Sequence, residues 1–295
     1  MRISDNILTK NFLTSVNNSR SRMSKLQDQL SSGKRVLNPS DDPEAAYRIL
    51  RTKTAIHKNE QFQKNVSDGT VMLQATAQAI DNFSNLLLEA KDIVTKARSG
   101  IGTTNLETFA EQIDAIIKSA VQIGNTQFNG KHLFGGTQTT APPFILAADG
   151  STVTLNPNGI TGTIELQVGD GLKQAVNIDG MQAFLGEEIF QALIDIRDTM
   201  RGGTVPTAAH YDQVTAHVSH VSSVGGKTGL MLNALEMHEN FLAGREIHLA
   251  SLLSNDDDTD FAESTLLLRK EEMMLEAALN VGARLIPKTL MDFLR

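Results

Sequence analysis

At both ends of the chain, apolar residues return at alternating intervals of four and three. That spacing commits each end to a helix presenting one narrow stripe. Near the start the stripe is Phe12, Val16, Ser19, Met23, Leu26 and Leu30. Near the end it is Phe261, Thr265, Leu268, Glu272, Leu275, Leu279, Gly282, Ile286, Leu290 and Phe293. This is the a/d seam of a coiled coil. Asn, Ser, Arg, Lys, Gln and Asp fill the positions between the first set and make a solvated back face. A helix with one such seam is marginal alone in water. The two ends are therefore predicted to pair with each other and with further copies of the chain.

Between the ends the pattern lengthens. Gly33 is placed to cap the first helix, and Asn38-Pro39-Ser40-Asp41-Asp42-Pro43 forbids helix because each proline drives its predecessor to extended backbone. Asp41 and Glu44 then resemble a capping box, with Pro43 in the first turn. Heptad spacing at Leu73, Thr76, Ile80, Phe83, Leu87, Ala90, Val94 and Ala97 predicts a helix over 43–98, about 80 Å long, with Gly69 a candidate kink. A further helix is predicted over 105–123. From Asn125 the texture changes to short apolar runs punctuated by Asn129-Gly130, Asp149-Gly150, Asn158-Gly159 and Asp170-Gly171, the mark of hairpins. Strands are expected at 144–146, 153–155, 164–168 and 176–178. Helix resumes over 186–200 and again over 207–254, with a glycine break at Gly225-Gly226. The fold class is thus mainly α: a long helical coiled-coil or bundle rod with paired terminal helices and a small β insertion. The divisions are an N-terminal heptad helix (1–42), outgoing rod helices (43–136), the insertion (137–181), returning rod helices (182–254) and a C-terminal heptad helix (255–295).

Composition narrows the function. Aromatic content is 5%, with no Trp and two Tyr, so Leu, Ile, Val, Ala and Met must do the packing. A net charge of -7 without a basic run argues against nucleic acid. The absence of Cys excludes disulfides and thiol chemistry. No apolar stretch approaches the ~20 residues that span a bilayer, so no membrane insertion is expected. Met1-Arg2-Ile3-Ser4-Asp5-Asn6 lacks the apolar core of a cleaved signal peptide.

Candidate chemical motifs give way to structural readings. Gly225-Gly226-Lys227-Thr228 matches only the end of a phosphate loop, since Val221 stands where the first glycine belongs. Asp256, Asp258 and Asp260 alternate as in a calcium loop, but Phe261 and Leu267 occupy its glycine and closing glutamate positions. Capping by Asp260 with Glu263 is the reading adopted. His210, His217 and His220 lie at helical spacing without an evident fourth zinc ligand, and whether they bind anything stays open. His238-Glu239 lacks the second zincin histidine, its place taken by Leu242. No catalytic residue, cofactor or metal site is expected.

Three stretches resemble the flagellin superfamily. They are Leu30-Ser31-Ser32-Gly33-Lys34-Arg35 running into Pro39-Ser40-Asp41-Asp42-Pro43-Glu44-Ala45-Ala46, then Asn125-Thr126-Gln127-Phe128-Asn129-Gly130 with Phe134-Gly135-Gly136 and Pro142-Pro143-Phe144, and Asp258-Thr259-Asp260-Phe261-Ala262-Glu263 leading to Leu290-Met291-Asp292-Phe293-Leu294. The resemblance covers both ends and the rod. Filament flagellins tend to continue the first motif as Asp-Asp-Ala-Ala-Gly, and the hook–filament junction branch fits Asp41-Asp42-Pro43-Glu44-Ala45-Ala46 better. Asp256-Asp257-Asp258 is more acidic than the family pattern. The resemblance implies an extracellular structural subunit of the bacterial flagellum, exported by the flagellar type III apparatus without a cleaved signal. It implies a ring of copies, contact with a neighbouring hook-associated protein and with flagellin, and an export chaperone on the C-terminal helix. The alternatives are a filament flagellin and, from another class, a cytoplasmic coiled-coil interaction protein. The subunit interface is expected at Phe12, Val16, Met23, Leu26, Leu30, Phe261, Leu268, Leu275, Leu279, Ile286, Leu290 and Phe293.

Overall fold

A computed structural model describes residues 2–99 and 105–285. The chain is mainly α. Its helices are α1 (Arg2–Ser32), α2 (Pro43–Arg98), α3 (Leu106–Gly124), α4 (Gly180–Phe184), α5 (Glu188–Arg201), α6 (Ala208–Asp257) and α7 (Phe261–Leu285). Three separate antiparallel hairpins lie between α3 and α4: β1 (Gln127–Phe128) with β2 (Lys131–His132), β3 (Phe144–Leu146) with β4 (Val153–Leu155), and β5 (Glu165–Gly169) with β6 (Leu172–Ala175). Two compact units result, residues 59–244 and residues 1–58 with 245–295, and α2 and α6 contribute to both.

The unit of residues 59–244 has a closed core. One face of α2, carrying Ile80, Phe83, Leu87, Ala90 and Val94, is buried with Ile113, Ile117 and Ala120 of α3 and Ile189, Phe190, Leu193 and Ile196 of α5. The few aromatics are concentrated here. Phe83, Phe134, Phe144, Phe184 and Phe190 form a cluster with ring centroids 4.5 to 5.9 Å apart, mostly tilted or edge-to-face, the arrangement the ring quadrupole favours. Buried Arg197 of α5 ties this core to a turn. Its guanidinium reaches Asp114 of α3 at 3.0 Å and the Gly150 carbonyl at 2.5 Å.

Several local expectations change. Asn129 and Gly130 both take positive φ, 50° and 74°, as a type I′ hairpin turn requires. The strand expected at 176–178 lies earlier, at Leu172–Ala175, paired with β5. Val176 and Ile178 are instead buried in the core, and the Asn177 side chain replaces ladder bonding by accepting from Ile164 N (2.7 Å) and donating to Gly162 O (2.9 Å). The short helix α4 escapes the periodicity; Asp179 caps it by accepting from Gln182 N at 2.8 Å. Neither α2 nor α6 breaks at its glycines. Gly69 is a landing site rather than a kink, since a Cβ there would stand 2.9 Å from Val176 Cγ1 and 3.3 Å from Leu166 Cδ1. The cap of α2 is Asp42, one residue later than Asp41, because Pro43 already occupies the first helical position; its carboxylate accepts from Ala45 N at 3.0 Å.

Candidate assembly interface

The unit of residues 1–58 and 245–295 is built differently. Helices α1 and α7 pack along each other. The inward stripe of α1 is the one the heptads specify: Val16 and Ser19 are buried, and Phe12, Met23, Leu26 and Leu30 are half-buried. On α7 the inward stripe is Ser264, Leu268, Glu271, Leu275, Ala278 and Gly282. Leu268 and Leu275 therefore face α1, whereas Phe261 and Leu279 are exposed. Ile286, Leu290 and Phe293 lie outside the described residues. The shift arises because a polar group was hidden in the seam. Ser19 Oγ donates to Glu271 at 2.8 Å and Arg22 Nε donates at 2.9 Å, so Glu271 rather than Glu272 points inward. The hydrogen bond from Arg22, with that from Ser19, holds the Glu271 carboxyl below its ordinary range. Gly282 is the small residue on which the Phe12 ring rests; a Cβ there would overlap the ring.

A clasp closes the other end of the pair. Gly33 takes φ of 70° and turns the chain out of α1, with its N–H donating to Gln29 O at 2.9 Å. Arg35 N then donates to Asp257 O at 2.7 Å, and Thr259 N to Gly33 O at 2.9 Å, flanking a bridge between Lys34 and Asp258. The acidic run that departs from the family pattern is met by matching cations. Arg48 of α2 reaches Asp256 at 2.8 Å, Lys53 reaches buried Asp257 at 3.0 Å, and Arg35 reaches Asp42 at 3.2 Å. Arg48, through its hydrogen bonds, keeps the Asp256 carboxyl below the usual range. The Ala45 N–H and then Arg35 do the same for Asp42, and Lys25 at 2.8 Å does so for Asp41. Asp260 accepts from Ala262 N and Glu263 N and caps α7, as its sequence position suggests. Two stretches far apart in sequence, around Gly33–Arg35 and around Asp257–Thr259, thus prove to be partners in one joint; nothing in either alone signals the other.

The described residues of this unit form no buried core. Among its described residues only Val16, Ala45 and Ile49 are fully buried apolar side chains, and none belongs to a buried cluster. It nevertheless holds 13 of the 21 large apolar side chains that are exposed among the described residues, including Ile7, Leu13, Leu50, Ile247, Leu266 and Met273. Exposed apolar surface on this scale marks an interaction surface.

The chemical motifs dissolve into structure. Gly225-Gly226-Lys227-Thr228 is continuous helix, with buried Thr228 Oγ1 donating to Val224 O at 2.9 Å. His210 Nδ1 accepts from Thr207 N at 3.3 Å, His220 meets Gln182 O at 3.0 Å, and His217 is buried with no partner at Nε2. Among the described residues no three His, Asp or Glu side chains come together to hold a metal ion. Among the same residues no helix is long and apolar enough to cross a membrane.

Comparison with known proteins agrees with the geometry. Residues 3–139 match the profile of the bacterial flagellin N-terminal helical region. Flagellar hook-associated protein 3 of Salmonella typhimurium is 28% identical over 51% of this chain and 48% of its own length, so the chain spans about half of that relative. Flagellin of Bacillus subtilis is 27% identical over the whole of both chains. In fold, hook-associated protein 3 of Legionella pneumophila superposes on 70% of this chain and 98% of its own with a TM-score of 0.64 at 15% identity. Over its first half the chain is similar to the flagellin N-terminal helical region, and its relatives in sequence are flagellins and flagellar hook-associated proteins.

Proposed function

We propose that this chain is a structural subunit of the bacterial flagellum, without catalytic role, that sits at the hook–filament junction and polymerises through its terminal helices. The observation that carries the reading is the imbalance among the described residues of 1–58 and 245–295: paired heptad helices, three buried apolar side chains and a majority of the exposed ones. Each Leu buried by a neighbour contributes roughly 2 kcal/mol, so several per subunit offset the cost of ordering the ends only when copies meet. The seam residues Phe12, Val16, Met23, Leu26, Leu30, Leu268 and Leu275, with the outward Phe261 and Leu279 and the C-terminal Ile286, Leu290 and Phe293, form the subunit interface in this reading. The copies form a ring between another hook-associated protein and flagellin. The chain reaches the cell exterior through the flagellar export apparatus, and before export a chaperone covers the C-terminal helix.

Deletion of the coding sequence followed by electron microscopy tests this. The expected outcome is hooks without filaments and flagellin shed into the medium. Normal filaments would sink the junction role. A filament flagellin is the second reading, favoured by the whole-length alignment with flagellin of Bacillus subtilis. It requires the purified chain to grow long filaments unaided, whereas a junction subunit stays short without a matching end.

A further inference from the structure

Residues 59–244 contain two Asn-Gly pairs, Asn129-Gly130 and Asn158-Gly159, and all four residues are exposed. Asparagine before glycine is the pair most open to self-modification, because the glycine nitrogen carries no neighbouring Cβ to hinder its approach to the asparagine amide carbon. The structure separates the two pairs. The second is tied down: Gly159 N donates to Asn156 O at 2.9 Å, and Asn158 N donates to Asn156 Oδ1 at 2.9 Å. In the first, Asn129 and Gly130 are the whole of a two-residue loop, beyond the last ladder pair of Phe128 with Lys131. Among the described residues nothing accepts from Gly130 N, and a Cβ at Gly130 would meet no atom within 4 Å. The nitrogen that must attack is free at one pair and engaged at the other.

We infer that Asn129 is a self-modification site, which converts to aspartate and isoaspartate without an enzyme. Hydroxide takes the Gly130 amide proton. The nitrogen then bonds to Asn129 Cγ, the Cγ–Nδ2 bond breaks, and ammonia leaves after taking a proton from water. The product is a five-membered imide, which water reopens. Cleavage between Cγ and the nitrogen gives aspartate; cleavage between the main-chain carbonyl carbon and the nitrogen gives isoaspartate. In sum one water is consumed and one ammonia released, with no change of oxidation state. Asn129 lines an apolar cleft of about 650 Å³ whose charged residues are Asp68 and Lys131, so either product adds a second carboxylate there. Aspartate still suits the turn, because Asp-Gly favours the same type I′ geometry as Asn-Gly. Isoaspartate does not. Its main chain runs through the side-chain carbon and is one bond longer, and a two-residue loop that sets the register of Phe128 with Lys131 cannot absorb the excess. Phe128 and Leu133 line the same cleft, so the cleft loosens as the chain ages. The reaction needs no partner and is independent of the assembly role proposed above.

The purified full chain is kept folded at pH 7 and at pH 9, then digested briefly with trypsin and mapped by mass spectrometry. Cleavage after Lys118, Lys131 and Lys173 places Asn129 and Asn158 in different peptides, 119–131 and 132–173. The mass gain of acid for amide is expected in 119–131, faster at pH 9, with isoaspartate at 129 identified by electron-transfer fragmentation. Asn125 shares that peptide, but its side chain is held at both ends by the Phe144 backbone, at 2.8 and 3.0 Å, and should stay unchanged. In the folded chain Asn158 should convert about tenfold more slowly than Asn129, since two hydrogen bonds must open first. In urea that gap should close. Equal rates in the folded chain, a gain at Asn125 instead, a gap that persists in urea, or conversion of Asn129 in urea alone would each overturn the inference. Asn129→Asp supplies the new charge without the longer main chain. Its amide exchange at Lys131 and His132 should match that of the fresh chain, whereas the aged chain should exchange faster there. An aged chain that contains isoaspartate and exchanges no faster would overturn the loosening of the cleft.

Discussion

Single residues decide whether the helices fit. Gly282 has no side chain because the Phe12 ring occupies the place of one. Gly282→Ala must push that ring aside and is expected to cost about 1–3 kcal/mol of α1–α7 pairing, the usual range for overpacking. Amide exchange should then speed up along both helices, and adding Phe12→Ala should recover part of the loss. His217 is a different case. It is buried with Nε2 unpartnered, and burial depresses its pKa, helped by His220 and opposed by Glu188. Its folded pKa lies below the unfolded 6.5, so the unfolded chain takes up the proton first as pH falls. The stability of residues 59–244 should decline as pH drops below about 6.5. His217→Leu should flatten that decline in urea unfolding followed at pH 7 and pH 5.

Elements are held by charge where they lack apolar cover. Asp41, Asp42, Asp256 and Glu271 all have depressed pKa values, so each favours the folded clasp and seam at neutral pH. That support is lost as pH falls through their ordinary values, 3.8 for the aspartates and 4.5 for the glutamate, and on toward the lower folded ones. Exchange measured from pH 6 to pH 3 should show α1 and α7 losing protection, and Asp256→Asn should start from lower protection and fall less. These exposed pairs should also weaken in high salt. The helices themselves were largely legible: the α1 stripe from Phe12 to Leu30 matches its buried face, and Asn129-Gly130 marks its turn. Less legible were features that depend on a distant partner. Gly69 reads as a flaw in a helix until the hairpin that lands on it is known. Helix α6 runs on through Asp256 and Asp257, past the expected end at 254, with Arg48 and Lys53 beside their carboxylates. Arg197 gave no periodic signal because its partners, Asp114 and the Gly150 carbonyl, are set by tertiary folding.

At the scale of the whole molecule, one part is complete and the other waits. Residues 59–244 enclose their aromatic cluster; the described residues of the paired ends bury a few side chains but form no buried apolar cluster. Val16→Asp, which places an unpaired carboxylate at the one buried apolar residue of the α1 seam, should leave the aromatic cluster and its near-ultraviolet signal unchanged. It should abolish incorporation into flagella, and chains that still incorporate normally would show that the seam is not what joins them. The site was legible as a periodicity but not as a surface: the stripes announce where helices meet, and only the structure separates Leu268 and Leu275, which face the partner helix, from Phe261 and Leu279, which face away.

The main-chain bonds between Arg35 and Asp257 and between Thr259 and Gly33 tether the first arm of the chain to the last. Neither arm can be loosened alone. A brief digestion with a broad protease should therefore trim both extremities at one rate, leaving a resistant fragment near residues 59–244, and a single nick in either arm should expose the other to the enzyme.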